Sequence, residues 1–173
     1  MKRFNFTSPT SIRRLTIHQY QNISQHLRSS RLRSLICFTI CLEQKTLTSL
    51  LVVKLLTVLD LPRLNEVDHI TTLPEEIGDL IHLKYLCLQG WRRRRLPLPI
   101  GRPVNLQTLN LQHSEIKSIP CTIWKLQQLR HLYGGSNMIV SESMMHRCLT
   151  NGHLGIDKLT DLQTLYLRSG SWL

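Results

Sequence analysis

The stretch LPEEIGDLIHLKYLCL, residues 73–88, decides the fold, because the chain repeats its pattern twice more. The later copies are LPLPIGRPVNLQTLNL from Leu96 and IPCTIWKLQQLRHLYG from Ile119, so each copy starts 23 residues after the one before it. The first two copies end in leucines spaced as L-x-x-L-x-L, and the third has Gly134 in the last slot. A period of about 20–29 residues with this spacing indicates short structural repeats, each made of one strand and one return segment.

The leucine pattern continues on both sides of these copies. With isoleucine or cysteine in some slots, it begins at residues 12, 32, 56, 83, 106, 129 and 162. Side chains of a strand alternate between its two faces, so the fourth and sixth residues of each repeat should point inward. One repeat cannot bury enough apolar surface by itself, and stacked repeats share a continuous core. The sequence therefore predicts an α/β leucine-rich-repeat solenoid, a curved horseshoe of about seven repeats with short parallel strands on its concave face.

Proline marks the start of the return segment in the three clearest repeats, at Pro74, Pro97 and Pro120. Proline fixes φ and favours an extended residue before it, so loops and short helical turns are expected on the convex side. One of these repeats has Pro103 in an apolar slot that holds leucine in its neighbours. The inward residues predicted for the return segments are Ile70, Leu73, Ile77, Leu80, Leu96, Ile100, Val104, Ile116, Ile119, Ile123 and Leu126.

The repeat pattern also divides the chain. Residues 1–10 do not fit the pattern and contain Pro9, which predicts a flexible lead-in before a repeat domain over residues 11–173. The last spacing is longer than the others, and residues 136–153 are polar and mixed in composition. Because solenoids tolerate added loops between repeats, this stretch is predicted to be an insertion.

Composition and charge limit the classes of function. The sequence has 42% hydrophobic and 19% charged residues, and it has no apolar run near the roughly 20 residues that a membrane helix needs. The five cysteines include no C-x-x-C pair, so neither a disulfide framework nor a zinc site is indicated. The histidines are scattered, and no catalytic motif is present. These features predict a protein that is not an enzyme and needs no metal or cofactor.

The formal net charge of +11 is concentrated in the first part of the chain, where residues 1–60 carry nine Lys and Arg against two acids. A basic region could attract nucleic acid, an anionic lipid surface or an acidic protein face, and charge alone does not choose among them.

The outward strand positions should form the concave face, which is the usual binding surface of a curved solenoid. Four of them, Tyr85, His131, Tyr133 and Tyr166, would form an aromatic stripe of the kind that dominates protein interfaces. Every strand must also expose something, so these residues could have no role beyond the fold. The residues selected as the candidate binding face are Tyr85, Gln89, Asn110, Gln112, His131, Tyr133, Tyr166 and Arg168. The other outward strand positions are Arg14, Thr16, His18, Ser34, Ile36, Val58, Asp60, Cys87, Thr108 and Thr164.

A second candidate is the run Trp91, Arg92, Arg93, Arg94, Arg95. Arginine beside an aromatic ring could dock an acidic protein surface or stack on single-stranded nucleic acid. A solvated loop with no partner is the favoured interpretation, docking to an acidic protein surface comes second, and binding to nucleic acid is the least favoured.

Several phrases of the chain resemble a known family, chiefly LPEEIGDLIHLKYLCL, NLQTLNL at 105–111 and IPCTIWKLQQLRHLY at 119–133. They resemble the repeat region of plant intracellular disease-resistance proteins, the nucleotide-binding leucine-rich-repeat receptors, and are most similar to the coiled-coil subclass of cereals. Family members carry a nucleotide-binding domain before the repeats, but no G-x-x-x-x-G-K-[ST] phosphate loop occurs in this sequence. Nucleotide binding is therefore not expected of this chain.

The resemblance implies the sensing and autoinhibitory part of a cytoplasmic immune receptor with a role in defence. The implied partners are proteins: a pathogen effector, the host target of an effector, or a nucleotide-binding domain in cis or in trans. The alternative is a truncated remnant or a stand-alone repeat adaptor without receptor activity. Pro103 and the arginine run depart from the family pattern, and both departures favour that alternative.

Overall fold

The computed structural model describes residues 13–18, 31–38, 44–61, 72–92, 95–135, 149–150, 153–154 and 158–166. Several predicted features lie outside these ranges. They are the lead-in at 1–10, the first residue of the first repeat (Ile12), the inward residue Ile70, and most of the insertion at 136–153.

Seven short strands of the described residues form one parallel sheet in chain order. Two further strands, which belong to a separate sheet, come before the last of the seven. The sheet pairs β1 with β2, then β3, β4, β5, β6 and β9. The separate sheet is an antiparallel pair of two-residue strands, β7 and β8. The strands are β1 Arg14–Ile17, β2 Ser34–Cys37, β3 Val58–Asp60, β4 Tyr85–Cys87, β5 Thr108–Asn110, β6 His131–Tyr133, β7 Leu149–Thr150, β8 His153–Leu154 and β9 Thr164–Tyr166.

The predicted inward leucines lie opposite one another across the sheet. Leu59 pairs in register with Leu35 on one side and Leu86 on the other, and the same column continues through Leu109 and Leu132 to Leu165. Leu35 through Leu132 in this column are fully buried. Leu165 is exposed, because no described strand lies beyond β9. The predicted α/β repeat solenoid with parallel strands is confirmed.

Short helical turns form the return side of the repeats, as the prolines predict. Helix α1 spans Gln44–Leu50, and single 3₁₀ turns span Glu75–Asp79, Leu98–Gly101 and Cys121–Lys125. Each 3₁₀ turn follows a proline whose ψ lies between 147° and 150°, the extended entry expected from its ring.

Neighbouring 3₁₀ turns pack closely against one another, which accounts for one glycine. A Cβ atom built on Gly101 would collide with the backbone carbonyl of Thr122 in the next turn. Only a residue without a side chain can occupy this position at the observed spacing.

Pro103 does not disturb its repeat, although the sequence suggested a defect there. The proline is buried, and its carbonyl accepts a 2.9 Å hydrogen bond from the Leu106 amide, as Leu80 does from Leu83. The residue after it was assigned wrongly. Val104 was predicted to point inward, but it is 51% exposed, because it occupies the outward position that Ile81 holds one repeat earlier.

After β4 and β5 the chain turns back through a left-handed residue, Gly90 with φ 71° and His113 with φ 57°. Glycine adopts this conformation at no steric cost, and histidine adopts it less readily. The next residue of each turn is buried, Trp91 in the first and Ser114 in the second. Ser114 Oγ donates a 2.6 Å hydrogen bond to the Leu111 carbonyl, so the two repeats fill the same position by different means.

Candidate functional site

The outward positions of the sheet form two straight rows, because every strand pairs in the same register. Across the sheet Asn110 pairs with both Cys87 and Tyr133, and Tyr133 pairs with Tyr166. The first row contains Arg14, Ser34, Val58, Tyr85, Thr108, His131 and Thr164. The second row contains Thr16, Ile36, Asp60, Cys87, Asn110, Tyr133 and Tyr166.

Three aromatic side chains lie together at the C-terminal end of these rows, and we call His131, Tyr133 and Tyr166 the aromatic patch. The rings of His131 and Tyr133 are nearly parallel, with centroids 6.3 Å apart. The Nδ1 atom of His131 lies 3.1 Å from the Thr164 hydroxyl, which fixes the plane of the imidazole. Tyr166 is 53% exposed beside Tyr133. The patch therefore presents large, partly exposed rings, and the neighbouring strand holds the ring of His131.

Tyr85 does not join this patch, although the sequence suggested one stripe of four aromatic residues. Thr108 stands between Tyr85 and His131 in the first row. Two strand spacings separate Tyr85 from His131, or roughly 9.6 Å at the usual spacing of parallel strands. The predicted stripe is thus divided into a patch of three rings and a separate tyrosine.

Tyr85 belongs instead to a polar cluster with Asp60, Cys87 and Asn110. Burial raises the pKa of Tyr85 to about 12, and its side chain hydrogen-bonds with Cys87 and Asn110. Burial likewise raises the pKa of the Cys87 thiol to about 11, and Cys87 also hydrogen-bonds with Asp60. A thiol with so high a pKa stays protonated at neutral pH and is a poor nucleophile. This cluster lies in the middle of the two outward rows, and its thiol is not poised for nucleophilic chemistry.

The accessibility of Cys87 was also predicted wrongly. The sequence placed it among the outward residues of the face, and it does stand in the second row, but it is buried. Its neighbours Asp60 and Tyr85 both contact it, so no open surface remains around the sulfur.

We expect Asp60→Asn to stabilise the protein at neutral pH. Burial raises the pKa of Asp60 above its ordinary value, so ionising this carboxyl costs more in the folded state than in the unfolded state. The favourable contribution of the protonated acid is therefore lost as pH rises through the folded-state pKa. Because the side chain is only half-buried, solvent screening limits the gain in melting temperature to at most about 3 °C at pH 7.

The gain should shrink as pH falls toward the ordinary carboxyl range. Asp79→Asn is the matched control, since the pKa of the exposed Asp79 is lowered by its 2.7 Å ion pair with Lys54. Thermal unfolding of both variants at pH 7 and at low pH makes the comparison. A lower melting temperature for Asp60→Asn at pH 7 would contradict the assigned cause.

Two of the remaining predicted residues lie at the edge of the sheet where the strands end. Gln89 is exposed just beyond β4. Gln112 lies at the equivalent position after β5, where its backbone amide donates a 3.0 Å hydrogen bond to Asn110 Oδ1. Arg168 lies outside the described residues.

The second candidate, the tryptophan and arginine run, is not the surface that the sequence suggested. Trp91 is 0% exposed and cannot contact a partner, because it fills the repeat position that Ser114 holds in the next repeat. Arg92 is half-buried and Arg95 is exposed, whereas Arg93 and Arg94 lie outside the described residues. Any docking role here thus belongs to the arginines alone.

Within the described ranges, no three His, Cys, Asp or Glu side chains come close enough together to hold a metal ion. In the same ranges, the helices are too short to cross a membrane.

Comparison with known proteins matches the family described as "Leucine-rich repeat region" over residues 31–172. The chain belongs to this leucine-rich-repeat family. The match covers every described strand of the solenoid from β2 to β9.

Individual relatives of this leucine-rich-repeat chain are plant proteins. It is 26% identical over 134 residues to the ToMV susceptible protein tm-2 of Solanum lycopersicum, covering 70% of this chain and 14% of that protein. It is 32% identical over 117 residues to the disease resistance protein RGA4 of Oryza sativa subsp. japonica, covering 65% of this chain and 10% of that protein. The resemblance to plant disease-resistance proteins is confirmed, and the chain spans a small part of the length of these relatives.

Two bacterial proteins are among the solved structures with the same fold. A leucine-rich-repeat protein of Leptospira interrogans superposes with a TM-score of 0.69 at 28% identity, covering 91% of this chain and 37% of that one. An internalin, inlF, of Listeria monocytogenes gives a TM-score of 0.61 at 17% identity, covering 91% and 42%. The second likeness shows the fold alone.

Proposed function

We propose that this chain is a protein-recognition module that binds its partner on the concave face, with the aromatic patch at the centre of the interface. The observation that carries the proposal is the patch itself: three adjacent rings, partly exposed, on an open parallel sheet. Tyrosine supplies large contact area at low entropic cost and is enriched at hot spots. The proposed contact residues are Tyr85, Gln89, Asn110, Gln112, His131, Tyr133, Tyr166 and Arg168.

We further propose that the module is the sensing and autoinhibitory part of a plant immune receptor that acts in the cytoplasm. Its similarity to a rice protein named for disease resistance supports a defence role. The partner on the concave face is then a pathogen effector or the host target of an effector. A nucleotide-binding domain, in cis or in trans, is the partner for the arginines of the run Arg92–Arg95, where exposed Arg95 offers charge to an acidic surface.

The receptor proposal is tested by sequencing the transcript that encodes this chain, upstream of the Met1 codon. We expect an open frame that continues upstream and encodes a G-x-x-x-x-G-K-[ST] phosphate loop. An in-frame stop codon directly upstream of Met1 would instead favour the stand-alone adaptor or remnant.

A further inference from the structure

A third column of residues lies at the edge where the strands begin, one position before the first outward row. The backbone holds this column in line, because the carbonyl of each member except the last accepts hydrogen bonds from two consecutive amides of the next repeat. The Arg13 carbonyl, for example, accepts from Arg33 at 2.8 Å and Ser34 at 3.0 Å. We call the column the basic edge row; it consists of Arg13, Arg33, Thr57, Lys84, Gln107, Arg130 and Gln163.

The basic edge row carries positive charge and no negative charge. Four members are exposed cations, namely Arg13, Arg33, Lys84 and Arg130. The other three are neutral and polar, and Thr57 donates a 2.8 Å hydrogen bond from its hydroxyl to the Arg33 carbonyl. Five strand spacings separate the first and the last cation, a distance of roughly 24 Å.

The row ends in a cavity at its N-terminal end. This cavity has a volume of about 310 Å³ and is lined by Arg13, Arg31, Arg33 and Leu55. Arg33 Nη1 donates a long hydrogen bond of 3.5 Å to the Leu55 carbonyl, so two of the lining residues contact each other. Three arginines and one leucine thus line one small space that is open to solvent on one side.

These arginines have no carboxylate to neutralise them nearby in the chain. The first acidic residue of the sequence is Glu43, so residues 1–42 contain no Asp or Glu. Within the described ranges, the ion pair of the structure is Lys54 with Asp79, which involves none of the three. Like charges gathered without a counter-charge repel one another, and an anion bound among them would remove that cost.

We propose that the basic edge row and its cavity bind an acidic polypeptide segment of a partner protein, with one Glu or Asp side chain seated in the cavity. The planar guanidinium group matches a carboxylate in bidentate geometry, and Leu55 would contact the aliphatic part of that side chain. An extended segment of about seven residues at about 3.3 Å each spans the distance from Arg13 to Arg130. The row has no aromatic member, whereas proteins that bind single-stranded nucleic acid stack its bases on aromatic rings.

The test measures binding of the full 173-residue chain to a fluorescein-labelled peptide of four Glu-Ser repeats by anisotropy at low salt. The variant R13Q/R31Q/R33Q removes the cavity arginines. The matched control K45Q/K117Q/K125Q removes three charges from exposed lysines outside the row and the cavity. Circular dichroism establishes that both variants keep the fold.

We expect the arginine variant to weaken peptide binding at least about tenfold and the lysine control to weaken it less than about threefold. Equal losses of peptide affinity in the two variants would overturn the proposal, since they would show that binding depends on the net charge of the chain and not on the position of the arginines. An oligouridylate with the same number of charges as the peptide should bind more weakly than the peptide, and tighter binding would assign the surface to nucleic acid instead. The aromatic patch takes no part in this assay, so its outcome is independent of the function proposed above.

Discussion

Trp91→Ala is expected to lower the free energy of unfolding by about 3–5 kcal/mol, because a fully buried tryptophan leaves a large cavity. We expect the substitution to destabilise the repeats on both sides of Trp91 together. The Trp91 carbonyl accepts a 2.9 Å hydrogen bond from Glu115 in the next repeat, and its amide donates at 3.1 Å to Leu88. A solenoid is stabilised by contacts between neighbouring repeats, so loss at one boundary weakens both sides. Denaturant unfolding followed by circular dichroism measures the change.

Trp91→Phe separates packing from hydrogen bonding. The indole N–H of Trp91 is buried and has no hydrogen-bond partner among the described residues, and phenylalanine removes that donor along with some volume. The two effects oppose each other, so this variant should lose no more than about 1.5 kcal/mol. A loss as large as that of the alanine variant would show that the indole ring makes a specific interaction that volume does not replace.

Removing both tyrosines of the aromatic patch, Tyr133→Ala with Tyr166→Ala, is expected to weaken partner binding by roughly 700-fold. Hot-spot aromatic residues contribute about 2 kcal/mol or more each, and these two are neighbours across paired strands. The measurement is titration against the partner protein recovered by cross-linking, with circular dichroism to establish folding.

The matched control for this pair is Ile81→Ala with Leu98→Ala, which removes two exposed apolar side chains from the return side. The control should bind like the native chain. If the tyrosine variant stays folded and keeps native affinity, the aromatic patch is not the binding centre.

The fold could be predicted from the sequence because its signal recurs. Seven occurrences of the leucine spacing specify strands with a fixed inward face, and Leu35, Leu86 and Leu132 occupy that face. The prolines at Pro74 and Pro120 placed the return turns for an equally local reason, since their φ is restricted wherever they occur.

The wrong predictions arose where a residue type did not match its position. Trp91 beside four arginines resembled a surface motif. Its side chain is buried, however, because the chain turns at Gly90 and directs the next residue into the core. Val104 is apolar yet exposed, because the preceding Pro103 already fills the inward slot of that repeat. Cys87 stands in an outward row, and only the contacts of neighbouring strands show that its sulfur is covered.

The candidate surfaces were only partly visible in the sequence. The members of the aromatic patch followed from strand alternation, but its separation from Tyr85 depends on Thr108 between them. The basic edge row could have been found by aligning the second residue of every repeat, where Arg33, Lys84 and Arg130 recur. The alignment also brings together Arg31 and Leu55, which directly precede the starts of adjacent repeats, but only the folded chain shows that they line a cavity with Arg13 and Arg33.

Site-specific photo-cross-linking tests the central claim, recognition through the concave face, most directly. A benzophenone amino acid is placed at Tyr166 in one variant and at Leu98 in another, positions of similar exposure at 53% and 65% on opposite sides of the solenoid. Irradiation in plant leaf cells should cross-link a discrete protein at position 166, with none at position 98, and Tyr133→Ala should reduce the yield. A discrete adduct at position 98 with none at position 166 would contradict recognition through the concave face.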